Sequence, residues 1–465
     1  MYLSKSIVLI LLLTCFSWSG HAQVDFENSI RESFATFETQ LVQSCNSGTT
    51  PAVQVSIRYK NGTYHKTLGY ANHSERIKAS TKTLFRNAST GKVFLAFAAL
   101  KLGQQGKLDL DTGIASYLKG LHPRIGALTT RQLLTHTAGL KDDSDNYGPT
   151  GRSRQIEMLK KYGASAFIGD PDLVFSYSNN GYDMAGAIIE AITGLNFNEA
   201  MQQLVFQPLQ MNSTFYGVAN LKDHQLAYGH SGSNHNFNTS KSIADNANGR
   251  ASGMAFTTAV DLNKFLFWLN QEHPEKKSND LRKQLLQIYA DKQMTGEYWA
   301  YGYGLFHSEY CKNKAIWHSG GLPGYNAAFL SVPESEFSIV VLANGSEFNQ
   351  WEVITNAVKT ILKSDCTPVK SPTSKLTEFT ETEANDLVGT YSQGIGAVFK
   401  ISKSNKQLVL SVSGDQSHPI RKNSNGDIVV LEGGKPIRKY TVFKNRMGQV
   451  RFLHHWVRAY PKLKN

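Results

Sequence analysis

"FRNASTGKVFLAFAALKLGQQGKL", residues Phe85 to Leu108, sets a serine and a lysine three positions apart at the head of an apolar run. On a helix, residues three apart share a face, so Lys92 falls within reach of the Ser89 hydroxyl. A serine hydroxyl is a poor nucleophile until a base takes its proton. A lysine serves as that base only when its pKa falls, which burial and neighbouring positive charge accomplish. A helix N-terminus adds free backbone N–H groups and a favourable dipole for a developing oxyanion. The competing reading is a helix cap followed by an ordinary surface lysine. Spacing does not choose between them, because S-x-x-K is expected roughly twice by chance in a chain of this length. A second copy indeed stands at Ser116-Tyr117-Leu118-Lys119.

The surroundings carry more. Residues 26–43 can form a helix, and AVQVSIRYKNGTYHKTLGYAN (52–72) alternates about an Asn61-Gly62 turn, as a hairpin does. Val93 to Leu102 is helical by composition, and short helices and turns fill Gly106 to Gly139. GYDMAGAIIEAITG and TTAVDLNKFLFWLN read as two further helices. After Tyr301 the pattern changes to strands (YGYGLFH, AIWHSGG, NAAFLSVP, FSIVVLAN), closed by a helix over Gln350 to Leu362. Strands from both ends meeting around central helices make an α+β domain, an antiparallel sheet flanked by helices. TPVKSPTSKLTEFTETEAN (367–385) is polar and aperiodic, a linker pattern. Beyond it, strands broken at Asn405, Gly414, Asn425-Gly426, Gly433-Gly434 and Gly448 predict a small all-β barrel or sandwich.

Two further weak motifs follow Ser89 in order: Tyr177-Ser178-Asn179 just before a predicted helix, and His318-Ser319-Gly320-Gly321 at the end of a predicted strand. With the blocks LFRNASTGKVFLAFAAL, LTTRQLLTHTAGL, VFSYSNNGYDMAGAIIEAITG, ASGMAFTTAVDLNKFL and HSGGLPGYNAAFLSVPE, they cover about residues 45 to 365. In this the chain resembles the serine β-lactamase and penicillin-binding-protein superfamily, in the branch of class C β-lactamases, D-alanyl-D-alanine carboxypeptidases and related esterases. The resemblance implies a β-lactamase/transpeptidase-like fold and makes Ser89 the nucleophile, with Ser116 the chance copy. It implies that Lys92 is the base and that Tyr177 shares the proton transfers. Asn179, His318, Ser319 and Gly320 would bind substrate, and the backbone N–H groups of Ser89 and Gly321 would form the oxyanion hole. The alternatives are a packed loop aromatic for Tyr177 and a helix N-cap for Asn179. Where β-lactamases typically carry lysine, this chain has His318, whose neutral or switchable imidazole attracts a substrate carboxylate less constantly. The segment from LVGTYSQG onward is similar to small barrel-like domains appended to members of this branch.

At 465 residues, 41% apolar and 18% charged, the chain is globular and long enough for two or three domains. Lys5, the apolar run Ile7 to Leu13 and the small residues Gly20 and Ala22 read as a cleavable export signal. That run is too short to span a bilayer, and no later segment is long and apolar enough to be transmembrane. The expected division is a signal over 1–22, a catalytic domain over 23–367, a linker over 368–384 and a basic β domain over 385–465. Secreted or periplasmic placement follows, ahead of a lipoprotein acylated at Cys15. Signal removal leaves Cys45, Cys311 and Cys366, so one bridge at most, of unspecified pairing. Neither C-x-x-C nor H-E-x-x-H occurs, so no metal and no cofactor are expected.

The formal net charge is +12, and residues 385–465 hold 14 Lys and Arg against 4 Asp and Glu. In an exported protein such a tail suits an anionic cell-envelope polymer better than nucleic acid, or it is simply a solvated basic surface. A chain ending near Thr373 is therefore expected to fold and keep small-substrate turnover. The carboxylates of Asp142, Asp143 and Asp145 either bias the cleft toward cationic or neutral substrates or, the favoured reading, form a solvated loop face. The expected activity is acyl-enzyme hydrolysis of amide or ester bonds, foremost in peptidoglycan-related D-amino-acid peptides. A carboxylesterase or β-lactamase on the same site is the alternative, and a catalytically vestigial envelope-binding protein is the alternative of another class.

Overall fold

Strand Phe337–Ala343 is buried along its whole length, and its alternating side chains sort into two cores. Val340 and Leu342 pack with the helix Lys92–Gln104 and the helix Ala259–Asn270. Ile339, Val341 and Ala343 pack with a helix over residues 28–46 and with the helix Gln350–Ile361. A strand that carries apolar residues on both of its faces, with Ser338 its one polar side chain, must be covered on both faces, and each Val or Ile so buried contributes about 1.5–3 kcal/mol. The structure, a computed structural model, describes residues 28–142, 163–240, 247–367, 376–394, 396–404 and 407–463. The signal predicted over 1–22 lies outside the described residues, as do Asp143 and Asp145.

Around this strand runs a nine-stranded antiparallel sheet. The N-terminal hairpin Ala52–Tyr59 and Gly62–Asn72 pairs with Phe337–Ala343, followed outward by Tyr325–Val332, Asn313–Leu322 and Phe306–Tyr310. The expected meeting of the two sequence ends in one sheet is what forms. The hairpin turn falls on Lys60-Asn61, one residue earlier than read, because Tyr59 pairs with Gly62. Cys311 and Cys366 are disulfide-bonded, tying a strand turn to the chain beyond Gln350–Ile361, and Cys45 is a free, partly buried thiol.

The C-terminal domain is eight sequential antiparallel strands, from Gly389–Ser392 to Arg458–Pro461. A bridge between Tyr391 and Lys462 brings its last strand back to its first. This is the predicted barrel, nearly closed. Gly433 and Gly434 both take positive φ (54° and 78°) in the two-residue turn between Glu432 and Lys435, as such hairpins require. Part of the predicted linker belongs to this domain. Thr377 bridges to Lys422, and Thr380 caps the helix Glu381–Leu387, whose Ala384 and Leu387 enter the barrel core.

The barrel does not hang free. Phe452 and Ala459 form a small core with Ile168 and Val174 of the first domain, and the Thr441 hydroxyl donates to the Gly296 carbonyl at 2.9 Å.

Candidate active site

Ser89 sits in a tight turn, Ala88–Gly91, that leads into the buried helix Lys92–Gln104. Ala88 takes φ 47°, a region that residues with a Cβ rarely adopt. Two glycines let other chain segments press against this turn. A Cβ on Gly253 would lie 3.2 Å from the Ala88 carbonyl carbon, and one on Gly320 would lie 2.4 Å from the Ser89 nitrogen. Both come from blocks noted in the sequence, ASGM and HSGG, and close backbone approach is the physical reason for glycine there. Ser89 is left half-exposed between buried neighbours.

Lys92 is fully buried. Its Nζ donates to Ser89 Oγ at 3.1 Å, to Asn179 Oδ1 at 2.7 Å and to the Ser252 carbonyl at 2.6 Å. Burial, aided by the Arg458 charge and opposed by Asp142 and Asp183, pushes its pKa down to about 7. An amine half neutral at that pH can accept the Ser89 proton. Asp183 lies one helical turn beyond Asn179 and accepts the Gly249 and Ser252 N–H groups at 2.9 and 3.1 Å, which fixes the Ser252 carbonyl over Lys92. Sequence reasoning passed over Asp183, although its i+4 spacing from Asn179 was a usable signal.

Tyr177 is buried and lies beneath the lysine, whose Nζ is 4.8 Å from the ring centroid. Its ring packs against His136, tilted by 32° with the centroids 4.1 Å apart. His136 Nδ1 accepts the Ser178 N–H at 3.0 Å, and burial holds this imidazole well below its ordinary pKa, so it is neutral with its proton on Nε2. His136 lies in the noted LLTHTAGL block without having been given a role. Asn179 is the first residue of the helix Asn179–Thr193, while Ser178 is its N-cap. The N-cap alternative for Asn179 is thereby excluded.

His318 is buried against Tyr301, with Nε2 and the tyrosine Oη 3.4 Å apart and Nδ1 2.6 Å from the Ser319 carbonyl. Burial and the nearby Lys92 push its pKa down to about 3. Of the two states expected for this imidazole, the structure selects the neutral one. Pairing with Phe306–Tyr310 stops at Trp317, whereas pairing with Tyr325–Val332 runs on to Leu322. Ser319, Gly320 and Gly321 therefore form an open strand edge that runs past the Ser89 turn.

The predicted residues Ser89, Lys92, Tyr177, Asn179, His318, Ser319, Gly320 and Gly321 thus converge. Ser116 does not join them; it is exposed, and Lys119 Nζ binds the Ala115 carbonyl at 3.1 Å. Asp142 corrects the solvated-loop reading. Its side chain is 6% exposed, accepts the Asn179 backbone N–H at 2.8 Å and pairs with Arg458 of the barrel. Nothing local in the sequence announced Arg458.

The family model described as Beta-lactamase matches residues 34–359. Penicillin-binding protein 4* of Bacillus subtilis is 26% identical over 373 residues, covering 76% of this chain and 81% of its own. Protein flp of Staphylococcus aureus is 27% identical over 326 residues, 67% of this chain and 63% of its own, so the chain spans less than two thirds of that relative. Among solved structures, SurE superposes with a TM-score of 0.78 at 20% identity, over 94% of this chain and 99% of its own. A penicillin-binding protein homologue from Pyrococcus abyssi gives 0.62 at 20% identity, over 92% and 100%. A β-lactamase/D-alanine carboxypeptidase from Pseudomonas syringae gives 0.61 at 18% identity, over 71% and 99%. At these identities the structural likeness is one of fold.

Proposed function

Because this chain belongs to the beta-lactamase family, we propose that it is an exported serine hydrolase working through an acyl-enzyme on Ser89, its substrates D-amino-acid peptides of the peptidoglycan type. The observation that carries the reading is the buried Lys92 amine 3.1 Å from Ser89 Oγ, with a pKa near neutrality. Lys92 takes the Ser89 proton as Oγ bonds to the substrate carbonyl carbon, and the N–H groups of Ser89 and Gly321 hold the oxyanion. Collapse breaks the C–N or C–O bond, and the leaving group takes the proton back by way of Lys92 and Tyr177. Water then attacks the ester, releases the acid and restores the hydroxyl. General-base contributions of this kind are worth roughly 10²- to 10⁴-fold.

The relatives named as a penicillin-binding protein and a D-alanine carboxypeptidase support the substrate class, as does a SurE structure described with D-Leu. The Cys311–Cys366 bridge supports an oxidising compartment. One observation favours a second reading. His318, neutral and buried, supplies no cation for a substrate carboxylate, which suits a carboxylesterase and weakens an efficient β-lactamase. A vestigial site would have no reason to keep the Ser89–Lys92–Asn179 contacts.

Intact-mass spectrometry after treatment with a penicillin or a fluorophosphonate tests the nucleophile. One adduct is expected, absent from Ser89→Ala and present in Ser116→Ala; an adduct that survives Ser89→Ala overturns the assignment. Turnover of D-Ala-D-Ala peptides, D-amino-acid amides, short acyl esters and nitrocefin then ranks the substrates.

A further inference from the structure

One hairpin of the C-terminal barrel reaches the site. Strands Val450–His455 and Arg458–Pro461 turn over Trp456 and Val457. The Tyr177 N–H donates to the Val457 carbonyl at 2.8 Å, and the Ala459 N–H donates to Ser176 Oγ at 3.3 Å. Between these bonds, the Arg458 guanidinium pairs with the Asp142 carboxylate. Asp142 in turn accepts from Asn179 twice, from the backbone N–H at 2.8 Å and from Nδ2 at 3.3 Å. With its amide nitrogen committed to Asp142, Asn179 presents Oδ1 to Lys92 Nζ at 2.7 Å. The amide cannot flip without losing the carboxylate and facing its N–H₂ toward the amine.

We infer that Arg458 is a positioning residue of this active site: through Asp142 it fixes the Asn179 amide against Lys92, which makes the barrel a constituent of the catalytic unit. The inference rests on the reading of Ser89 and Lys92 as nucleophile and base. A carboxylate as enclosed as Asp142 is stable only with its charge compensated, and Arg458 supplies that charge from a separate domain. Removing the guanidinium leaves Asp142 free to leave Asn179 or to hold Lys92 in its charged form.

The charges facing Lys92 set the sign of the test. Asp142 approaches from the chain before the helix of Asn179, Asp183 from that helix and Arg458 from the barrel hairpin. His136, His318, Tyr177 and Tyr182 complete the surroundings, the two imidazoles neutral and both rings of the tyrosines within reach of the amine. The carboxylates favour the ammonium, and Arg458 favours proton release. Losing Arg458 therefore raises the Lys92 pKa, and losing the Asp142 charge lowers it.

The rate of Ser89 acylation by a fluorophosphonate is measured against pH for the full-length chain and its variants, with melting temperatures in parallel. Arg458→Ala should slow acylation about 10²-fold, the cost of a misplaced reacting group. It should also move the acid limb up by on the order of one pH unit, and Arg458→Lys should restore most of both. Asp142→Asn should move the limb down, and the double variant should return it toward wild type. If Arg458→Ala does not fold, Asp142→Asn, which leaves the unpaired charge on the more exposed partner (the Arg458 side chain is 38% exposed against 6% for Asp142), decides by the direction of its limb. Unmoved limbs in variants that still label overturn the inference. Absence of labelling in the wild-type chain overturns the proposed function instead.

Discussion

Replacing Gly320 by alanine probes the closest backbone approach in the site. An added Cβ would lie 2.4 Å from the Ser89 nitrogen, 2.7 Å from Ala88 Cβ and 3.1 Å from the Ala88 carbonyl carbon. Ordinary contact begins at 3.4 Å, so the strand edge and the Ser89 turn must separate by about 1 Å. No flexible side-chain end is available to absorb this. The strand is held by the ladder from Ile316–Ser331 to Leu322–Tyr325, and the turn is held by the three Lys92 hydrogen bonds. Overpacking of this kind costs about 1–3 kcal/mol, and an error of about 1 Å at a reacting group costs about 10²-fold in rate. Gly321→Ala is the control. Its Cβ would meet only Asn326 Oδ1, at 3.6 Å, so melting should match wild type. Both variants would be titrated with a fluorophosphonate and melted. A Gly320→Ala variant acylating within a few-fold of wild type, or a Gly321→Ala variant equally destabilised, would refute the reasoning.

Acylation should lose half its rate on acidification through about pH 7, because Lys92 must be neutral to accept the proton and burial has brought its pKa there from 10.5. A rate still climbing toward pH 10 would place the base elsewhere. Cys311→Ser with Cys366→Ser opens a loop with a sequence separation of 55, and chain entropy predicts about 4 kcal/mol less stability by denaturant titration. Ending the chain near Thr373 removes Phe452 and Ala459 from Ile168 and Val174 and Val457 from Tyr177. Small-ester turnover should therefore fall sharply, against the expectation from the linker alone; unchanged turnover would detach the barrel from catalysis.

The elements legible in the sequence were those whose cause is local. Three-residue spacing put Ser89 and Lys92 on one face, period-two alternation marked the strands of the terminal sheet, and paired glycines marked the barrel turns. The motif order gave Tyr177, Asn179 and His318 their places. What the tertiary structure decided depends on burial and on long-range contact. Lys92 sheds its proton near neutral pH only because packing strips its water, and His318 is neutral for the same reason. Three cysteines allow three pairings, and only the fold brings Cys311 to Cys366. In the sequence Asp142 reads as one of several loop carboxylates and Arg458 as one of 14 basic residues in a basic tail. They lie 316 positions apart, and no periodicity spans that distance. Only the docking of two domains makes them a pair, since an ion pair needs close approach and shelter from water, and neither is written in either residue's neighbours.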